Sequence, residues 1–128
     1  DCGYTAQLAA LQELADTYSD KLVVIGFPAN DFKEQEKSDN ETIAIFCQKN
    51  YGVTFPLAQK TQVVPGANQH PVYQWLTQQP LNGWNNKVPE WNFSKYLVNP
   101  EGFLTHYFPP SVSPTDPMIT RQLVTNSQ

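Results

Sequence analysis

Leu22-Val23-Val24-Ile25-Gly26-Phe27 is an unbroken apolar run rich in β-branched residues, and Pro28 ends it. Its composition predicts a strand buried on both faces, as in a parallel sheet. Upstream, Leu8, Leu11, Leu14 or Ala15, and Tyr18 recur on one helical face, which predicts a first helix over 5–18. Ser19-Asp20-Lys21 turns the chain between the two. A helix followed by a doubly buried strand implies an α/β layer fold.

Downstream of Pro28, residues 30–37 form a polar loop past the C-terminal end of that strand. Ligands of open α/β sheets bind there, so Asn30 and Gln35 are candidates on position alone. Ser38 and Glu41 fit a capping box, and Ile43, Phe46 and Cys47 repeat at helical spacing up to Gly52, placed as a C-cap. Residues 53–57 are extended, and Pro65-Gly66 marks a turn. Pro71 suits the first position of a third helix carrying Val72, Trp75 and Leu76, with a structural role for His70 before it. Residues 80–89 read as a loop. Tyr96-Leu97-Val98, an Asn99-Pro100-Glu101-Gly102 turn and residues 103–108 predict a β-hairpin, and a last helix follows over 117–124. The order is α-β-α-β-α-β-β-α, in one domain spanning 1–128, and a strand must precede the first helix to complete the sheet.

Composition limits what such a domain does. The chain has 128 residues, enough for a real core, and a net charge of −4. Its eight Lys and Arg are scattered, which gives no footprint for nucleic acid or an anionic membrane surface. The run from Leu22 to Phe27 is far too short to span a bilayer. Forty-four residues separate Cys2 from Cys47, and thirty-five separate His70 from His106. Neither spacing resembles the short ligand pairs of structural zinc sites, so no metal is expected.

Cys2 stands just before the predicted first helix. Orphan N–H groups and the positive end of the helix dipole stabilise an anion there, which would lower the thiol pKa. A buried, inert cysteine is the alternative on these residues alone. Cys47 falls on the apolar face of the second helix, as a core residue would.

Several stretches together resemble the glutathione peroxidase family: Cys2-Gly3-Tyr4-Thr5, Gly26-Phe27-Pro28-Ala29-Asn30-Asp31-Phe32, Gln35-Glu36, Phe46-Cys47-Gln48, Tyr51-Gly52-Val53-Thr54-Phe55-Pro56, His70-Pro71-Val72-Tyr73, and the run from Trp91 to Val98. They keep the family's order from end to end of the chain. The resemblance implies a thioredoxin-like α/β fold, a central mixed β-sheet flanked by helices, and reduction of hydroperoxides. It also implies a catalytic tetrad of Cys2, Gln35, Trp91 and Asn92, with cysteine rather than selenocysteine at the reacting position. The chemistry suits those residue types. Attack on an O–O bond needs a thiolate. The two amides and the indole N–H are neutral donors that favour the sulfur anion and stabilise the departing oxyanion.

Departures from the family pattern are Ala29 where Cys is frequent, Asp31 for Gln, Glu34 at a small or basic position, and Lys37 for Pro. The family's first strand, which lies before the reactive Cys, is missing from the numbered chain, so an N-terminally short chain is expected. Cys47 matches the resolving Cys of thioredoxin-dependent members, whereas members relying on glutathione usually lack it. The resemblance thus implies thioredoxin or glutathione as reducing co-substrate, no bound cofactor, and a thioredoxin-like reductant as partner. The short 81–90 loop implies a monomer or weak dimer. Two other readings are a peroxide sensor passing oxidation to a client protein, and an inactive thioredoxin-like binding domain. The compartment stays open between cytoplasmic and exported. The two sequons at Asn40 and Asn92 read as chance, since a glycan on Asn92 would block the site.

Overall fold

The computed structural model describes residues 6–28, 52–59, 61–90 and 93–125. The second predicted helix, over 38–51, lies outside them. The described elements, in order, are helix α1 (Gln7–Thr17), helix α2 (Pro71–Thr77), the one-turn helix α3 (Gln79–Asn82), strands β1 (Lys95–Val98) and β2 (Leu104–Phe108), and helix α4 (Pro117–Thr125).

The apolar face of α1, predicted from its spacing, is divided in the structure between two clusters. Leu14 packs with Phe108, Ile119 and Leu123, joined by Tyr18, Leu22, Leu97 and Val112. Leu8, Leu11 and Ala15 pack on Val53 and Phe55, with Val24 and Leu57. One helix therefore ties the C-terminal hairpin and α4 to the extended segment 53–57. Burying a Leu or Phe side chain of this kind contributes about 1.5–3 kcal/mol.

The run 22–27 departs from its expectation. Gly26 pairs in parallel with Leu57, its N–H donating to Pro56 O at 2.9 Å while Ala58 N–H donates to Gly26 O at 2.8 Å. This is a bridge, not a full strand. Burial alternates along it: Leu22 and Val24 face the clusters, whereas Val23 is 73% exposed and Ile25 55%. One face is covered by α1 and residues 53–57, and among the described residues nothing comparable covers the other. A second parallel bridge joins Gln62 and Gln69.

Two polar side chains hold the middle of the chain. Buried Gln69 donates from Nε2 to Val63 O at 2.8 Å and to Thr77 Oγ1 at 3.2 Å. Buried Asn85 donates from Nδ2 to Leu76 O at 2.8 Å and accepts Lys87 N–H on Oδ1 at 3.1 Å. The stretch predicted as a loop over 80–89 thus begins as the α3 turn. Pro80 fits a first helical turn, and Gly83 closes it at φ +102°. His70 caps α2 by accepting Val72 N–H on Nδ1 at 3.1 Å, the structural role expected of it.

The hairpin forms as predicted. Lys95 faces Phe108, Tyr96 faces Tyr107 and Leu97 faces His106, with a bulge between Leu97 and Val98. Asn99 Oδ1 orders the turn by accepting the N–H groups of Glu101 and Phe103.

Candidate active site

The five residues assigned to chemistry, Cys2, Gln35, Trp91, Asn92 and Cys47, lie outside the described residues, as does Asn30. What the structure does place are the segments that flank them.

Trp91-Asn92 is bracketed closely. Glu90 N–H donates to Ser94 Oγ at 3.1 Å, so the chain closes on itself across the pair. Tyr107 O–H reaches Glu90 Oε1 at 3.3 Å and Ser94 Oγ at 3.4 Å. Phe93 sits at φ +69°, a left-handed conformation that a bulky aromatic adopts only when its surroundings impose it. Lys95 Nζ donates to Phe93 O at 2.7 Å. Tyr96 O–H donates to Lys87 O at 2.9 Å, which fixes the approach to the bracket.

A chain of edge-to-face aromatics runs from this bracket to Phe27. Ring centroids are 5.1 Å apart for Tyr107 and Tyr96, 5.8 Å for Tyr96 and Tyr73, and 5.2 Å for Tyr73 and Phe27. Phe27 lies at the end of the 22–27 run, before the stretch that holds Gln35. The aromatic chain therefore links the described flanks of Gln35 and of Trp91-Asn92, each pair contributing about 0.5–1.5 kcal/mol beyond area burial.

Burial also disfavours charge here. Desolvation pushes the Tyr73 phenol up to about 12. Tyr96 is raised as well, first by desolvation and then by Tyr73, Tyr107 and Glu90. Desolvation is also the main cause of the upward shift at Tyr107. Lys95 moves the opposite way, pulled down to about 8 by burial.

On the Cys2 side, α1 starts at Gln7. Ala6 provides no side-chain cap, and the first turn carries no acidic residue. The positive end of this helix is thus uncompensated by its own side chains. Among the described residues no cluster of three or more metal-ligating side chains forms.

Sequence reasoning quoted Tyr73, Ser94 and Lys95 only within the family stretches and gave no role to them, to Tyr107 or to Gln7. A charged residue opening the apolar strand Tyr96-Leu97-Val98 was the available signal for Lys95. The tyrosine pair had a signal too, in the hairpin register that places Tyr96 opposite Tyr107.

These elements make a thioredoxin-like α/β fold. The crystal structure of Trgpx in apo form matches it with a TM-score of 0.66 at 27% identity, over 97% of this chain and 74% of that one. The glutathione peroxidase family model matches residues 1–77. The glutathione peroxidase homolog BsaA of Halalkalibacterium halodurans is 43% identical over 114 residues, covering 88% of this chain and 71% of that protein. Its counterpart in Bacillus subtilis is 40% identical over 116 residues, covering 90% and 72%. The chain belongs to the glutathione peroxidase family. It is a thiol-based peroxidase that reduces hydroperoxides and draws on a reducing co-substrate.

Proposed function

We propose that Cys2 is the peroxidatic thiol, that Gln35, Trp91 and Asn92 are its hydrogen-bond donors, and that Cys47 resolves the oxidised product. The family match over residues 1–77, which takes in Cys2, Gln35 and Cys47, carries this reading. The uncapped N-terminus of α1, with no acidic residue in its first turn, supports a thiolate at Cys2.

In the first step the Cys2 thiolate attacks the terminal oxygen of ROOH. The S–O bond forms, the O–O bond breaks, and RO⁻ leaves and takes a proton to give ROH. The peroxide gains two electrons and Cys2 becomes a sulfenic acid. Cys47 then attacks that sulfur, the S–S bond forms and water departs. A dithiol protein of the thioredoxin type returns both thiols by disulfide exchange. Cys47 favours such a dithiol over glutathione, and the short 81–90 stretch favours a monomer or weak dimer as the working form.

The test combines peptide mapping with coupled turnover. Peroxide should convert the protein to a Cys2–Cys47 disulfide. Cys2→Ser should abolish peroxide reduction. Cys47→Ser should consume one equivalent and then stop when thioredoxin is the reductant. Sustained thioredoxin-coupled turnover by Cys47→Ser would refute the resolving role, and turnover by Cys2→Ser would refute the whole assignment.

A further inference from the structure

Among the described lysines, Lys95 is tied into the body of the fold by backbone carbonyls. It opens β1 opposite Phe108, and its Nζ donates to Phe93 O at 2.7 Å and to Pro110 O at 3.4 Å. Pro110 O also accepts Gln7 Nε2 at 2.7 Å. Phe93 directly follows Trp91-Asn92, and Gln7 opens the helix that follows Cys2. One ammonium thus grips the carbonyl just after the donor pair and a second carbonyl that the first residue of α1 also holds.

We propose that Lys95, with Gln7 as its counterpart across Pro110 O, is a positioning residue that keeps the Trp91-Asn92 segment in register with the start of α1. This rests on the assignment of Cys2, Trp91 and Asn92 given above. Three observations agree with it. Phe93 holds a left-handed backbone that needs imposing from outside, and the bond to its carbonyl does so. Gln7 keeps its amide on Pro110 O although its Oε1 is buried with no partner among the described residues. Burial also lowers the amine's pKa, a cost that a lysine swung out into water would escape. Both partners of Lys95 are main-chain oxygens, so the side chain fixes backbone position without adding a carboxylate to the site.

The test is the rate of the first Cys2 oxidation by hydrogen peroxide, followed by stopped flow on wild type, Lys95→Met, Lys95→Arg and Gln7→Met, with melting temperatures alongside. Lys95→Met should lose on the order of 10–100-fold in rate, since small misplacements of reacting groups cost that much. Its melting temperature should hold, because Met replaces a partly desolvated charge with an apolar stem of similar length. Lys95→Arg should recover part of the rate, and Gln7→Met should lower it in the same direction. An unchanged rate in Lys95→Met overturns the inference. So does a loss that vanishes once the rate is corrected for folded fraction. If wild type is not oxidised at Cys2, the site assignment falls first and this inference falls with it. Normal oxidation of wild type and Lys95→Met alike removes this inference alone.

Discussion

Replacing Asn85 with alanine should destabilise the protein by about 2–4 kcal/mol. The side chain is only 4% exposed and completes the turn that leads to Trp91. Its Nδ2 serves Leu76 O in a buried bond and Lys87 O at 3.3 Å, and its Oδ1 takes Lys87 N–H. After truncation Leu76 O has lost this donor inside the protein, which costs about 1–3 kcal/mol, and the half-buried Lys87 N–H adds roughly another 1 kcal/mol. Lys87 O keeps the Tyr96 hydroxyl and adds nothing. An unfolding entropy of about 2.1 cal/mol/K per residue makes each kcal/mol worth about 4 °C at this chain length, so the melting temperature should fall by about 8–15 °C. Asn85→Asp sharpens the test. It retains an acceptor for Lys87 N–H but turns a carboxylate oxygen toward two carbonyls. Its folded pKa must therefore rise above the unfolded value of about 3.9. The folded state is unpenalised below that unfolded value, and stability is lost as pH climbs through the folded one. Urea unfolding at pH 7 should rank Asp below Ala, and the order should reverse or close near pH 4 as the protonated carboxyl regains a donor. A loss under about 1 kcal/mol for Asn85→Ala at unchanged m, or an Asp variant with no pH dependence relative to wild type, would refute this account of the turn.

Gly26 sits where a Cβ would lie 2.7 Å from Leu57 Cδ2 and 3.4 Å from Phe55 Cε1. Gly26→Ala should cost little, because the tip of Leu57 can rotate away, whereas Gly26→Val should lose about 1–3 kcal/mol by overpacking; chemical denaturation reads both, and equal losses would contradict the packing. Lys95 gives a pH signature. Its folded pKa is about 8 against an ordinary 10.5, so between those values the unfolded chain binds more protons and this group makes stability rise with pH. Near and above pH 10 the buried Tyr73 opposes it, keeping its proton in the folded state up to about 12 while the unfolded chain gives it up. Lys95→Met should flatten the rise between pH 8 and 10 in urea titrations; an unaltered slope would mean that the amine is not desolvated.

The fold was legible where a pattern is local. The α1 face, the Pro71 start of α2 and the Asn99–Gly102 turn each follow from residues within a few positions of one another. The run 22–27 was misread because six consecutive apolar residues do not say how many neighbours a strand has. Val23 and Ile25 would look the same in sequence with either face covered. The α3 turn was missed because Pro80 signals a break as readily as a first helical turn, and Asn85 settles the matter through Leu76 O, a contact with no trace in composition. The residues proposed for the chemistry lie outside the described residues and were assigned on a different ground. A thiol and neutral donors in a family-specific order carry their identity in their side chains. Lys95 and Gln7 do not, since both act on main-chain carbonyls that any residue at positions 93 and 110 would present.

The surroundings of residues 90–94 bear on why such a site would use amides and an indole rather than ion pairs. Burial there pushes three tyrosines toward their neutral forms and lowers the amine of Lys95, so each of these groups pays to carry charge. Among the described residues Glu90 finds its counter-charge at the surface, with Lys87 at 3.8 Å and both side chains about half exposed, a pair worth little. The Lys95 ammonium beside this segment is already engaged by the carbonyls of Phe93 and Pro110. Oriented dipoles remain, and their strength depends on being held still, because a donor that must reorganise gives back what it supplies. The bracket from Glu90 to Ser94, the aromatic edges from Tyr107 to Phe27 and the carbonyl grip of Lys95 all restrict backbone and ring positions without adding an acid or base at the reacting atoms. On this view the tolerance of the site to charge changes at 87 and 90 should be wide, and its tolerance to changes at 94 and 95 narrow.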